Sequence, residues 1–98
     1  MTPTLAILWT IGSDLHTGRL NLVRDRLDLR SRHHVLSIPL DTIERCSIDR
    51  GPAVRIRGLP VLRLELTNDV VVRIASLESI TALVDLAERV TGRLPVSG

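Results

Sequence analysis

The chain has 98 residues, 35 of them Leu, Ile or Val, and a formal net charge of +2. That length gives one domain, residues 1–98, and a 24% share of charged residues excludes both a wholly apolar membrane protein and a disordered polar chain. All 13 basic residues are Arg, which excludes lysine catalysis, Schiff bases and a Walker-type phosphate loop, and the single Cys46 excludes an intrachain disulfide or a Cys-rich metal centre.

The apolar run Leu5 to Ile11 is too short to span a bilayer and follows no basic segment, so the expectation is an intracellular, cytoplasmic chain with peripheral membrane contact left open. Leu5, Ile7, Trp9 and Ile11 fall on one side of a strand, with Ala6, Leu8 and Thr10 on the other. Both sides are largely apolar. The segment is either a strand buried on both faces or an association surface, which makes Leu5, Ile7, Leu8, Trp9 and Ile11 candidate interface residues. Trp9, the one aromatic residue, either fills the core or anchors an interface.

Period-two alternation runs from residue 19 to residue 74 and predicts seven short strands. Leu20 and Leu22 alternate with Asn21, then Arg24-Asp25 turns the chain into Leu27 and Leu29. After the polar stretch Ser31 to His34 comes Val35 to Leu40, where Pro39 marks an edge or a bend. Ile43 to Ile48 ends at the turn signal Asp49-Arg50-Gly51-Pro52. Val54 and Ile56 alternate with Arg55 and Arg57, and Gly58-Leu59-Pro60 turns the chain again. Leu62, Leu64 and Leu66 alternate with Arg63 and Glu65; Asn68-Asp69 is a hairpin turn, and Val70, Val72 and Ile74 follow. The simplest topology is an antiparallel meander with its strands between about residues 4 and 74.

The period changes at Ser76, a good helix N-cap with Glu78 in the first turn. Leu77, Ile80, Leu83, Val84, Ala87 and Val90 then mark one face of an amphipathic helix over about 76–91. Gly92 closes it, Pro95 lies beyond, and 92–98 is a tail.

Strands followed by one C-terminal amphipathic helix, together with Gly18-Arg19-Leu20-Asn21-Leu22, Arg26-Leu27-Asp28-Leu29 and Ile38-Pro39-Leu40-Asp41-Thr42-Ile43-Glu44-Arg45-Cys46, resemble the bacterial pleckstrin-homology-like and GRAM-like domains. The resemblance covers residues 18–91 through soft hydrophobic patterns. It implies a mainly β fold with one C-terminal α-helix: a half-open antiparallel β-barrel capped by that helix, without catalytic apparatus. Members bind phosphoinositide head groups, peptides or proteins, and some self-associate. The chain departs from the lipid-binding members, which carry a Lys before a later basic pair. Here only Arg24-Asp25-Arg26 fits, on a short turn, and the helix lacks their common Trp.

The Arg distribution is the sharpest chemical feature. Arg50, Arg55, Arg57 and Arg63 fall in a fourteen-residue stretch without Asp or Glu, and alternation predicts that Arg55, Arg57, Arg63 and Arg73 share the sheet face opposite the core. Such a face is either simply solvated or recruits a phosphate, an acidic segment or a membrane head group through guanidinium contacts. With Arg24 and Arg26, these are the candidate anion- or partner-binding residues. His16, His33 and His34 show no metal-ligand spacing; no nucleophile elbow or Gly-rich phosphate loop appears. No metal, cofactor or small-molecule substrate is expected. A sequence pI near 9.9 keeps nucleic acid open, but single-strand binders stack bases on aromatic residues, and only Trp9 is present.

These features lead to a non-enzymatic interaction domain that binds a protein partner or self-associates, through residues 3–11 or an exposed sheet edge. The alternative is an anion-binding module for phospholipid head groups or a nucleic-acid backbone. On the first reading, deleting residues 2–11 abolishes any homo-oligomer.

Overall fold

A computed structural model describes residues 4–51 and 55–93. Seven strands follow one another: β1 (Thr4–Ile11), β2 (Asp14–Val23), β3 (Arg26–Ser31), β4 (Val35–Pro39), β5 (Ile43–Asp49), β6 (Val61–Leu66) and β7 (Val71–Ser76), and the helix α1 (Ile80–Arg93) comes last. The sheet order is β4-β3-β2-β1-β7-β6-β5, every described pairing antiparallel. Two meanders, β1 to β4 and β5 to β7, are thus joined where β1 pairs with β7. Because β4 and β5 do not pair, the curled sheet is a half-open barrel, mainly β with one helix, as the alternation and the period change imply.

The turns follow from residues that accept a left-handed backbone. Gly12 (φ 60°) turns β1 into β2, Arg24 (φ 52°) turns β2 into β3, and Asp69 (φ 65°) closes the β6–β7 connection. A single 3-10 turn, Leu40–Thr42, joins β4 to β5.

Inward-facing side chains fill the curl. Ile7, Trp9, Leu20, Leu22, Leu27, Leu29, Ile38, Leu62, Leu64, Val72 and Ile74 form one buried cluster, and α1 presses Leu83, Leu86 and Val90 into it from its place against β5, β6 and β7. A second cluster lies on the other side of the sheet, where Leu8, Val61 and Ala75 are covered by Ile56. β1 is therefore buried on both faces and paired on both edges.

Several expectations change on this frame. Ile7, Leu8 and Trp9 are at most 1% exposed, and Leu5 and Ile11 pack against the main cluster. The five candidate interface residues are internal, because β1 is the central strand of the sheet. Deleting it would remove two strand pairings and much of the core rather than an interface.

Of the strand expected over Val54 to Arg57, the described residues Arg55 to Arg57 form a turn instead. Val54 lies outside the described residues, and Ile56 and Leu59 exchange backbone hydrogen bonds of 3.1 and 2.9 Å across a two-residue turn. Its central residues, Arg57 (φ 50°) and Gly58 (φ 81°), both adopt positive φ, the geometry of a type I′ turn. Ile56 thereby rests on the outer cluster instead of the main core. The seventh strand of the alternation is supplied by β1.

The helix begins later than its cap signal. Ser76 is the last residue of β7, and its Oγ accepts the N–H groups of Glu78 and Ser79, both at 3.1 Å. Ser79 Oγ accepts the Ala82 N–H at 3.1 Å and caps the helix. Leu77 precedes α1 and is 48% exposed, Ile80 is 37% exposed, and Leu86 takes a buried place. The helix also continues through Gly92 to Arg93. Pro95 lies outside the described residues.

Both free edges are blunted. Ser31 N–H donates to the His34 carbonyl and Leu40 N–H to the Asp25 carbonyl, a phase that turns Leu36 and Ile38 toward β3 and leaves only Val35 and Ser37 facing outward. Pro39 ends that edge, and β5 carries a register shift between Ile43 and Arg45. Short, interrupted edges resist pairing with another chain, so neither edge favours the self-association considered from the sequence.

Candidate anion-docking face

Alternation along β5, β6, β7 and β1 sends Cys46, Ile48, Leu62, Leu64, Val72, Ile74 and Trp9 inward and their neighbours outward. Register then aligns the outward residues in rows. Ser47 stands opposite Arg63, Arg63 opposite Arg73, Arg73 opposite Thr10, and Thr10 opposite Leu15. Two arginines directly opposed across neighbouring strands repel each other, and a sheet gains nothing in packing from that arrangement. Both Nε atoms are buried and have no hydrogen-bond partner among the described residues. The neighbouring row adds Arg45 opposite Glu65, whose carboxylate is 3.6 Å from an Arg63 terminal nitrogen. One carboxylate thus answers Arg63, with Arg45 and Arg73 placed on neighbouring strands by register, and a guanidinium donor left without an acceptor is a cost that a bound anion would relieve.

The six candidate arginines do not converge. Arg63 and Arg73 meet on the row. Arg55 and Arg57 belong to the turn over the outer cluster, where an Arg55 terminal nitrogen donates to the Gly58 carbonyl at 2.9 Å. They are exposed, but they are not part of the row, because the strand that was to align them is a turn. Arg24 and Arg26 flank the β2–β3 turn, beyond β1 and β7 in the sheet order. Arg26 is engaged with Asp28 at 3.3 Å, and that buried carboxylate also accepts the Ser37 hydroxyl at 2.9 Å. Thr10, Arg45 and Ser47 were missed from sequence. Their alternation is readable, but their placement beside Arg63 and Arg73 depends on register.

Elsewhere the described residues offer different chemistry. Trp9, His16 and His34 form a ring column with centroid separations of 4.4 and 4.6 Å, joining the core to the β3–β4 loop. Among the described residues no group of three His, Cys, Asp or Glu is placed to hold a metal ion. A cleft of about 260 Å³ opens between the β4 edge and the β6–β7 turn, floored by Ile11, Leu36, Ile38, Leu66 and Val70. Among the described residues, no helix is long and apolar enough to cross a membrane.

Cys46 is half-buried on the inner side of β5. Burial pushes its thiol above the ordinary value of 9.0, with a Thr91 hydrogen bond acting the other way. The folded chain therefore holds the thiol proton more tightly than the unfolded chain, so this stabilising contribution is complete below about pH 9 and is lost as pH rises beyond it. The expected result is a urea midpoint that falls as pH rises above about pH 9, with a shallower fall in Cys46→Ala. An identical slope in the variant would remove Cys46 as the cause.

No protein-family profile matches the chain, and no curated protein matches it. Among solved structures the fold is similar to the crystal structure of the C-terminal domain of an unknown protein from Leishmania infantum. The likeness has a TM-score of 0.69 at 18% identity and covers 91% of this chain and 82% of that one. It is a likeness of fold.

Proposed function

We propose that the chain is a non-enzymatic interaction domain of the pleckstrin-homology-like kind, and that it docks an anionic segment of a protein partner on the outer face of β5, β6, β7 and β1. The half-open barrel capped by a C-terminal helix supports the structural half of this reading. The functional half rests on one observation: Arg63 and Arg73 are opposed across neighbouring strands with both Nε donors buried and unanswered among the described residues. The second pair of opposed arginines, Arg19 and Arg30, is exposed to water on both sides and can be satisfied there.

A protein partner fits this geometry better than a nucleic-acid backbone. Beyond the Arg pair the row continues with Ser47 on one side and Thr10 and Leu15 on the other, so the basic surface is one anion wide. A polyanionic strand is held by a continuing series of phosphate contacts.

The test is titration of isotopically labelled protein with a short poly-glutamate peptide, followed by backbone NMR shifts. The expected shifts centre on Ser47, Arg63, Arg73 and Thr10, and disappear in Arg63→Gln/Arg73→Gln and at high salt, where exposed ion pairing is screened. Shifts centred on the β2–β3 turn, or shifts indifferent to both changes, would overturn the reading.

A further inference from the structure

We infer that the docked segment is phosphorylated: Arg63 and Arg73 form a pocket for a phosphoserine or phosphothreonine, and Leu15 receives an apolar side chain four residues away along the same segment. This inference rests on the docking reading and gives its partner a chemistry.

Charge and donor number distinguish phosphate from carboxylate at this site. The terminal N–H donors of two guanidiniums, ion-paired among the described residues only through Arg63 with Glu65, present more hydrogen-bond capacity than a carboxylate's two oxygens and single charge can absorb. A phosphate monoester brings about −1.5 to −2 charge and three strong acceptor oxygens. Neighbouring strands lie about 4.8 Å apart, so one tetrahedral group can rest between the two planar forks and accept from both. Glu65, 3.6 Å from Arg63, holds that side chain beside the site and keeps part of its charge matched while the site is empty.

The rest of the row gives the segment its second contact. Thr10 separates Arg73 from Leu15, so a phosphate resting between Arg63 and Arg73 lies two and a half strand spacings, or about 12 Å, from Leu15. An extended peptide advances about 3.3 Å per residue and turns every second side chain to the same face, so a chain crossing the strands brings its fourth residue after the phosphorylated one, about 13 Å on, over Leu15. That leucine is 44% exposed, an apolar contact placed at one end of an otherwise polar row. Thr10, half-buried between them, offers its hydroxyl to the intervening peptide backbone.

The experiment measures binding of short fluorescein-labelled peptides by anisotropy at physiological ionic strength. The set is phosphoserine with Leu four residues later, the same peptide with Ser, with Glu, and with Ala in place of Leu. The expected order puts the phosphoserine–Leu peptide first, with the Ser and Glu peptides at least about tenfold weaker. Arg63→Gln or Arg73→Gln should cost about ten- to a hundredfold, the range for a lost charge-assisted contact. Arg73→Lys keeps the charge but loses the planar fork, and should retain only part of the affinity; unchanged thermal melting of each variant confirms that the fold is kept. Leu15→Asp should erase the preference for Leu over Ala.

Equal binding of the Glu and phosphoserine peptides, still dependent on both arginines, would overturn the phosphate inference and leave the docking reading standing. Binding indifferent to Arg63 and Arg73 would overturn both. Arginine-dependent binding to vesicles containing phosphatidylinositol phosphates, without binding to any peptide, would show that the phosphate belongs to a lipid and also overturn the inference.

Discussion

Gly18→Ala is expected to destabilise the fold by about 4 kcal/mol or more, a size confined to a few mechanisms, backbone strain among them. Gly18 sits in the middle of β2, opposite Ile7 of β1 on one side and Ser31 of β3 on the other. A methyl group there would lie 1.6 Å from the Arg30 carbonyl oxygen, 2.6 Å from its carbonyl carbon and 2.9 Å from the Ser31 Cα. All three are backbone atoms, so no rotamer change relieves the overlap. The β3 backbone itself must move, and with it the register that buries Leu27 and Leu29. Glycine is used here because the curl brings neighbouring strands closer than a side chain permits. Gly92 gives the contrast: an added Cβ meets nothing within 4 Å, and Ala is the better helix former there by about 1 kcal/mol. Thermal melts of Gly18→Ala and Gly92→Ala should therefore move in opposite directions. A Gly18→Ala protein that melts with the parent would show that the sheet can open at this corner at little cost.

The sequence carries much of the sheet, and the reason is specific to each strand. In β6, Leu62 and Leu64 are fully buried while Arg63 and Glu65 are half-exposed, so period-two alternation is visible. β1 hides its role because Leu8 packs on the outer cluster while Ile7 and Trp9 pack on the main one. A strand apolar on both faces looks like an association surface until its covering residues are known. That cover comes from Ile56, whose flanking arginines imitate a strand while Arg57 and Gly58 make a turn. Ser76 misled the helix start because a serine hydroxyl accepts N–H groups equally well in a turn leading to a helix and at the cap itself. The docking row was half legible. Arg63 and Arg73 read as outward from local alternation, but Ser47, Thr10 and Leu15 join them only through pairings spanning much of the chain, and one sequence does not encode such pairings locally.

Trp9→Ala is expected to cost about 3–5 kcal/mol, the range for deleting a large buried side chain. A domain of this size has about 5–15 kcal/mol in total, so much of its stability rests on one residue. Trp9 is 1% exposed and faces His16 on β2 and Ile74 on β7 across the two pairings of β1. With no Phe or Tyr in the chain, no second ring shares the work of filling the curl. The loss also frees His16, whose ring packs at 4.4 Å on the indole and at 4.6 Å on His34, so the β3–β4 loop should loosen with the core. At roughly 4–8 °C per kcal/mol for a domain of this length, the melting point should fall by about 12–40 °C. Circular dichroism is the appropriate readout, since the variant has no tryptophan fluorescence. Trp9→Phe, which keeps part of the ring volume, should recover part of the loss, whereas an interface anchor would show a different pattern. There the substitution would change the sedimenting mass and leave the monomer's melting untouched, and that pair of results would contradict the burial of β1.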